Sequence, residues 1–157
     1  MLKLKICLFY FFSFYAFATL PPEINDDEWI EKADHLLIGR VVSVEMIDDK
    51  GNQIFDPSAR TGPKESNIIY YVFEIDDVIV TNEELVPRTI RVPLDKMAHY
   101  SLGQILRINP EVDDPVVVIL GGSEFQPVYS GVFLKRQENS ESFIEKFKQA
   151  KLNITIE

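Results

Sequence analysis

The stretch IIYYVFEIDDVIV, residues 68–80, decides the fold class. Ile69, Tyr71, Phe73 and Ile75 fall on one parity, the period of a strand with one buried face. Val78 and Val80 fall on the other parity, and the switch comes at Asp76-Asp77. One extra residue there, a β-bulge, would turn both apolar sets inward. This is the strongest strand signal in the chain, and the neighbouring segments read in the same way.

Upstream, LLIGRVVSVEMI (residues 36–47) alternates Val42, Val44 and Met46 with Ser43 and Glu45, with Gly39 as a bend or bulge. Downstream, Ile90, Val92 and Leu94 alternate with Thr89, Arg91 and Pro93, and the proline suggests a sheet edge. Residues 97–108 are ambiguous, with a short helix expected around 97–100. Pro115 to Leu120 is a continuous apolar run ending in Gly121-Gly122, a buried strand and its turn. Gln126 to Gln137 reads as a further strand, with Val128, Val132 and Leu134 on one face.

Helices flank the strands. Asn25 before Asp26, Asp27 and Glu28 is a capping-box variant, and a helix is expected from Asp26 to about His35, with Trp29, Ile30, Ala33 and Leu37 at helical spacing. Ser142 with Glu145 makes a second box, and Phe143, Phe147 and Ala150 line one face of a helix to about Lys151. The tail 152–156 (LNITI) alternates and suggests an added edge strand. Five main strands, with a helix between the third and fourth, suit a mainly β fold: a small five-stranded OB-like Greek-key barrel with flanking short helices, or alternatively an open β-sandwich.

The first residues read as an export signal. Lys3 and Lys5 precede an apolar run from Ile6 to Phe17 that ends in Ala16-Phe17-Ala18, a small-x-small exit. The apolar run to Leu20 is shorter than the roughly 20 residues of a membrane span, and no basic cluster follows closely. Cys7 lies too near the start to be a lipoprotein acylation site. The expectation is a signal peptide at 1–18, cleavage after Ala18, and one domain over 19–157, periplasmic or secreted, with no transmembrane segment after cleavage. The whole chain carries 16 basic and 25 acidic side chains, a net charge of −9. Cleavage removes two lysines and the single cysteine, leaving 139 residues at −11. Such a chain lacks the basic face that nucleic acid requires. It also has no disulfide framework, so it depends on its core, which at this length can cover roughly two-thirds of the unfolded surface.

Here a resemblance enters. Ala33 to Val44 (ADHLLIGRVVSV) and Val72 to Val78 (VFEIDDV) look like segments of exported OB-fold domains of the netrin and TIMP type. The resemblance covers the layout of about 26–137 and implies an OB barrel. TIMP-type inhibitors place a cysteine at the mature N-terminus to ligate a protease metal. Here Thr19 would stand there, so the resemblance carries over a fold and no active residue.

Catalytic signatures are sparse. No nucleophile elbow, phosphate loop or dinucleotide fingerprint occurs. Glu31 and His35, four apart on the expected helix, could share a metal, but further ligands are missing, and a solvated helix end with His35 complementing the dipole is expected. Acid doublets at 26–27, 48–49, 76–77 and 113–114 suit turn, cap and bulge roles better than calcium or acid–base chemistry. Asn153-Ile154-Thr155 is a formal glycosylation sequon. No cofactor or metal is expected.

The expected function is an exported, non-enzymatic binding module for a protein or envelope partner. The alternatives are an oligosaccharide-binding barrel and a hydrolase with an unrecognised site. The recognition element is expected in the polar stretch 48–67. It has two glycines and two prolines, the turn signal Asp49-Lys50-Gly51-Asn52, and mixed charge that includes Asp56, Arg60 and Lys64. It is either a long loop or contains a small hairpin around that turn. Tyr70, Tyr129 and Phe133 are the aromatics expected to face outward, since OB barrels bind through a sheet face and adjoining loops.

Overall fold

A computed structural model of the chain describes residues 24–108 and 114–154. The expected signal peptide at 1–18, Asp113 of the last acid doublet and residues 155–157 lie outside the described residues. The fold is mainly β. Among the described residues seven antiparallel strands form one sheet: β1 (His35–Ile47), β2 (Gln53–Ile54), β3 (Ile68–Val80), β4 (Thr89–Pro93), β5 (Val116–Gly121), β6 (Gln126–Pro127) and β7 (Leu134–Arg136). Among the described residues three α-helices, α1 (Asp26–Lys32), α2 (Leu102–Ile108) and α3 (Glu141–Ile154), and a short 3-10 helix at Gln137–Asn139 accompany them. The order is β4-β3-β1-β5-β6, with β2 also on β1 and β7 also on β5. The sheet is not closed among the described residues. All pairings run through one sheet, whereas the alternative sandwich calls for two.

The register explains which apolar residues reach the core. Ile69, Tyr71 and Phe73 are buried on one face of β3, as their parity requires. The bulge at the Asp76 position is present, because Ile38 pairs with Asp77 and Gly39 with Ile75. A second irregularity pairs Leu36 with Val80 but Leu37 with Val78, which skips Ile79. Ile79 and Val80 therefore pack inward, while Val78 is 39% exposed, contrary to its expected burial. On β1 a further shift between Val41 and Ser43 makes Val42 the extra residue. Val41 is buried and Val42 is 41% exposed, a correction to the simple alternation.

Two cores result. One face of the sheet packs Leu37, Val41 and Met46 of β1 with Ile69, Tyr71 and Phe73 of β3, Ile90 and Val92 of β4, and Leu102 and Ile105 of α2. The other face packs Leu36, Val117 and Ile119 against Trp29 and Ile30 of α1 and Phe143 and Phe147 of α3. Every residue from Val116 to Leu120 is buried, as expected of a run covered on both faces.

Five other expectations shift. The first helix has its Asn25 cap, which accepts from the Glu28 amide at 3.0 Å, but it stops at Lys32. The Asp34 amide turns to the Leu120 carbonyl at 3.0 Å and His35 pairs with Leu120, so β5 captures the chain before helix can continue. Residues 97–100 are not helical. The helix starts at Leu102, where the Ser101 hydroxyl caps the Gln104 amide at 3.2 Å. The expected strand 126–137 is broken into β6 and β7 by a turn at Gly131, whose φ of +73° suits glycine. Helix α3 starts at Glu141 rather than after Ser142, because the Ser140 carbonyl accepts the Ile144 amide at 2.8 Å. Finally, residues 152–154 continue that helix rather than forming an edge strand.

Phe147 is fully buried and meets Phe143 edge-on at 5.9 Å, and the two pack with Leu36, Val117 and Ile119 to join α3 to the sheet. Phe147→Ala should cost about 3–5 kcal/mol of unfolding free energy, read by denaturant titration. A loss under about 1 kcal/mol would show that α3 does not carry this core.

Candidate functional site

The 48–67 segment contains the expected small hairpin around its turn signal, since β2 returns antiparallel onto β1, and its remainder is anchored rather than a free loop. Its first turn is built by Asp48, whose Oδ1 accepts the amides of Lys50 (2.9 Å) and Asn52 (2.8 Å), while Oδ2 accepts the Asn52 side-chain amide at 3.0 Å. Gly51 takes the positive φ of +82° that this turn needs. The turn delivers β2 onto the end of β1, with Ile54 opposite Met46 and half-buried against the core. Phe55, next in sequence, is 75% exposed. Asp56 then repeats the device, since its Oδ1 accepts the Ser58 amide and hydroxyl, both at 2.8 Å.

Beyond that turn the backbone is tied to the start of α2. The Gly103 and Leu102 amides donate to the carbonyls of Pro57 (2.9 Å) and Ala59 (3.0 Å). Buried Thr61 donates its amide to the Tyr100 carbonyl at 2.9 Å and its hydroxyl to the Ala98 carbonyl at 2.7 Å. Asn67 donates to the Arg60 carbonyl at 3.0 Å. The result is an anchored platform that leaves Phe55, Asp56, Arg60 and Lys64 exposed. Hydrogen bonds from the Asn52 side chain and backbone hold the Asp48 carboxyl below the ordinary aspartate range. Those from the Ser58 amide and hydroxyl do the same for Asp56.

The three aromatics expected to face outward part company. Tyr70 is half-buried on the outer sheet face, with the Arg91 guanidinium 4.7 Å from its ring centre. Arg91 itself pairs with Glu45 at 2.7 Å, and Arg88–Glu74 and Arg40–Asp76 pairs, each at 2.8 Å, cover the same sheet. Tyr129 lies instead against α1. Its hydroxyl donates to Glu28 at 3.2 Å, its ring meets Trp29 edge-on at 5.3 Å, and the Lys32 ammonium stands 4.8 Å from the ring centre. Phe133 is 1% exposed, enclosed by Tyr71 and Phe73 at 6.2 and 6.1 Å. Its expected outward role is corrected, because the Gly131 turn redirects the chain and swings this ring into the core. Sequence reasoning passed over Phe55. The available signal was a lone large aromatic directly after an apolar residue inside a polar stretch.

His35 also differs from its expectation. It is the first residue of β1 and fully buried, so it shares no helix face with Glu31 and caps no helix end. Its Nε2 donates to the Gly122 carbonyl at 2.9 Å, since a carbonyl can only accept, and Nδ1 meets the Thr81 hydroxyl at 2.8 Å. Phe125 packs on the ring at 4.4 Å, and Asp34 accepts the Gly122 amide at 2.7 Å. These contacts clamp the β5 turn to the start of β1. The described acid doublets serve structure, through both local backbone bonds and ion pairs distant in sequence. Asp26 and Asp27 pair with Lys135 and Lys146, Asp76 pairs with Arg40, and Asp77 accepts the Val78 amide. Among the described residues no three His, Cys, Asp or Glu side chains are grouped to hold a metal, and no helix is long and apolar enough to cross a membrane.

The two aspartate turns should respond to acid. A carboxyl whose value falls on folding contributes stability that is present above its unfolded value, near ~4, and lost as pH drops through the depressed folded value. The Asn52 and Ser58 amide proton shifts should therefore titrate with midpoints below the ordinary aspartate value. Midpoints at or above the ordinary aspartate value would refute these turns. His35→Leu should cost about 1–3 kcal/mol in denaturant titration by orphaning the Gly122 carbonyl. A neutral effect would show that the clamp is not carried by that bond.

Comparison of the chain with protein-family models, with curated proteins and with solved structures found no match.

Proposed function

We propose that this chain is an exported, non-enzymatic binding module on an OB-like scaffold, and that the 48–67 platform recognises a protein partner, in the envelope or outside the cell. The OB-like reading is supported by the strand path. Strands β1, β3 and β4 form a meander, α2 follows, β5 returns to the other edge of β1, and β7 pairs with β5. That path supports reading the sheet as a five-stranded Greek-key barrel left open between its third and fifth strands. The platform links the first two long strands, a position from which OB folds bind ligands. Export rests on the basic, apolar and small-residue segments of residues 1–18.

The observation that carries the proposal is Phe55, a large aromatic 75% exposed on a backbone held by side-chain and main-chain bonds on both flanks. Such a group loses little freedom on binding, and buried aromatics dominate protein interfaces. Arg60, Lys64 and Asp56 supply a polar rim. Sugar recognition by a stacked aromatic face has less support, since Tyr70 alone of the three expected aromatics stands on the outer sheet.

Two measurements test the reading. N-terminal sequencing of protein from the native host should begin at Thr19, and an intact Met1 on the mature protein would end the export claim. Point variants suit the loop better than excising residues 50–65, because excision would also remove β2 and the Thr61 bonds. Phe55→Ser should weaken the co-purified partner by about tenfold or more while leaving unfolding free energy within about 0.5 kcal/mol. Unchanged affinity would sink the platform as a recognition element.

A further inference from the structure

We infer that the cleft between the end of β3 and the last turns of α3 binds a small carboxylate with a short alkyl tail, of the medium-chain fatty acid class. This surface is separate from the platform, and the inference stands without it. The cleft is open to solvent on one side and has a volume of about 650 Å³, within the range of small-ligand sites. Ile79, Val80 and Leu152 give it an apolar lining, and Lys148 and Lys151 border it from α3. In a chain of net charge −9, two lysines one helical turn apart beside an apolar cleft favour an anionic head on an apolar body.

The side of the cleft formed by the end of β3 and the start of β1 is held by hydrogen bonds. Thr81 lines the cleft, and its hydroxyl is held at 2.8 Å by buried His35, which in turn is bonded to the β5 turn. Lys151 stands 5.5 Å from the Phe147 ring centre, and Lys148 pairs with Glu145 at 3.3 Å on the surface. Asp34 also borders the cleft, with Oδ2 accepting the Gly122 amide at 2.7 Å. Its charge disfavours an anion on the β1 side, so the carboxylate lies toward α3 and the tail runs along Ile79 and Val80.

The probe is octanoate titrated into the ¹⁵N-labelled full-length chain, followed by amide shifts. The expected result is saturable movement of the Val80, Thr81, Lys151 and Leu152 amides, complete by about 10 mM for a ligand of this size. Octylammonium, with the same tail and the opposite charge, should bind at least tenfold more weakly, and so should acetate, which keeps the head and lacks the tail. Lys148→Glu with Lys151→Glu should raise the octanoate dissociation constant about tenfold, whereas the two Arg substitutions should keep it within about twofold. Absence of saturation, equal binding of octylammonium, or shifts centred on exposed Leu85 or Leu106 would overturn the inference. If the double Glu variant fails to fold, the wild-type shift map and the octylammonium comparison decide alone.

Discussion

The structure depends on β1 pairing along both edges while curving. Over its length it meets β3 on one side, and on the other it meets β5 first and β2 last. A straight strand of thirteen residues cannot serve partners that diverge, so the ladder slips at three points. Gly39 marks one of them. A Cβ there would stand 2.6 Å from the Glu74 carbonyl oxygen, so the backbones approach to a distance that only glycine permits. Each slip also resets which side chain faces inward, and Val41 rather than Val42 enters the core for that reason.

From that curved strand the two cores follow. Residues of β1 and β5 alternate between the α2 side and the α1/α3 side, so one strand pair feeds both. The helices are then held at their rims by charge. Asp26 reaches Lys135, which also lies 4.0 Å from the Phe143 ring centre, and Asp27 reaches Lys146. The Asp27 carboxylate raises the Lys146 ammonium, but both groups are largely exposed, and such pairs orient more than they stabilise. The edge strand β4 is short, ends in Pro93 and carries Arg91, features that discourage pairing with another chain.

The 48–67 platform shows how a polar segment becomes ordered without a core of its own. Two aspartates close local turns, and Thr61 joins the segment to the residues before α2. Its long-range bonds run to residues 98–103, distant in sequence, and no local pattern announces them. The Asp48 turn was legible because Asp, Gly and Asn at fixed offsets prescribe it. The docking of Thr61, and the exposed posture of Phe55 that follows from it, were not.

The sequence by itself determined what depends on neighbours a few residues away. Strand parity over 69–75, the bulge at Asp76-Asp77, the Asn25 cap, the doubly buried run 116–120 and the Phe143/Phe147 face were all legible, because each is a local period or a side chain reaching its own backbone. Tertiary structure decided the rest. His35 left the helix because β5 offered its Leu120 carbonyl to Asp34 and a paired position to His35 itself. Phe133 entered the core because Gly131 turned the chain beneath it. Val42 faced outward because β3 forced a slip. In each case the competing local preference is worth under about 1 kcal/mol, whereas burying a large side chain or satisfying a buried polar group is worth about 1–3 kcal/mol, so the long-range partner wins.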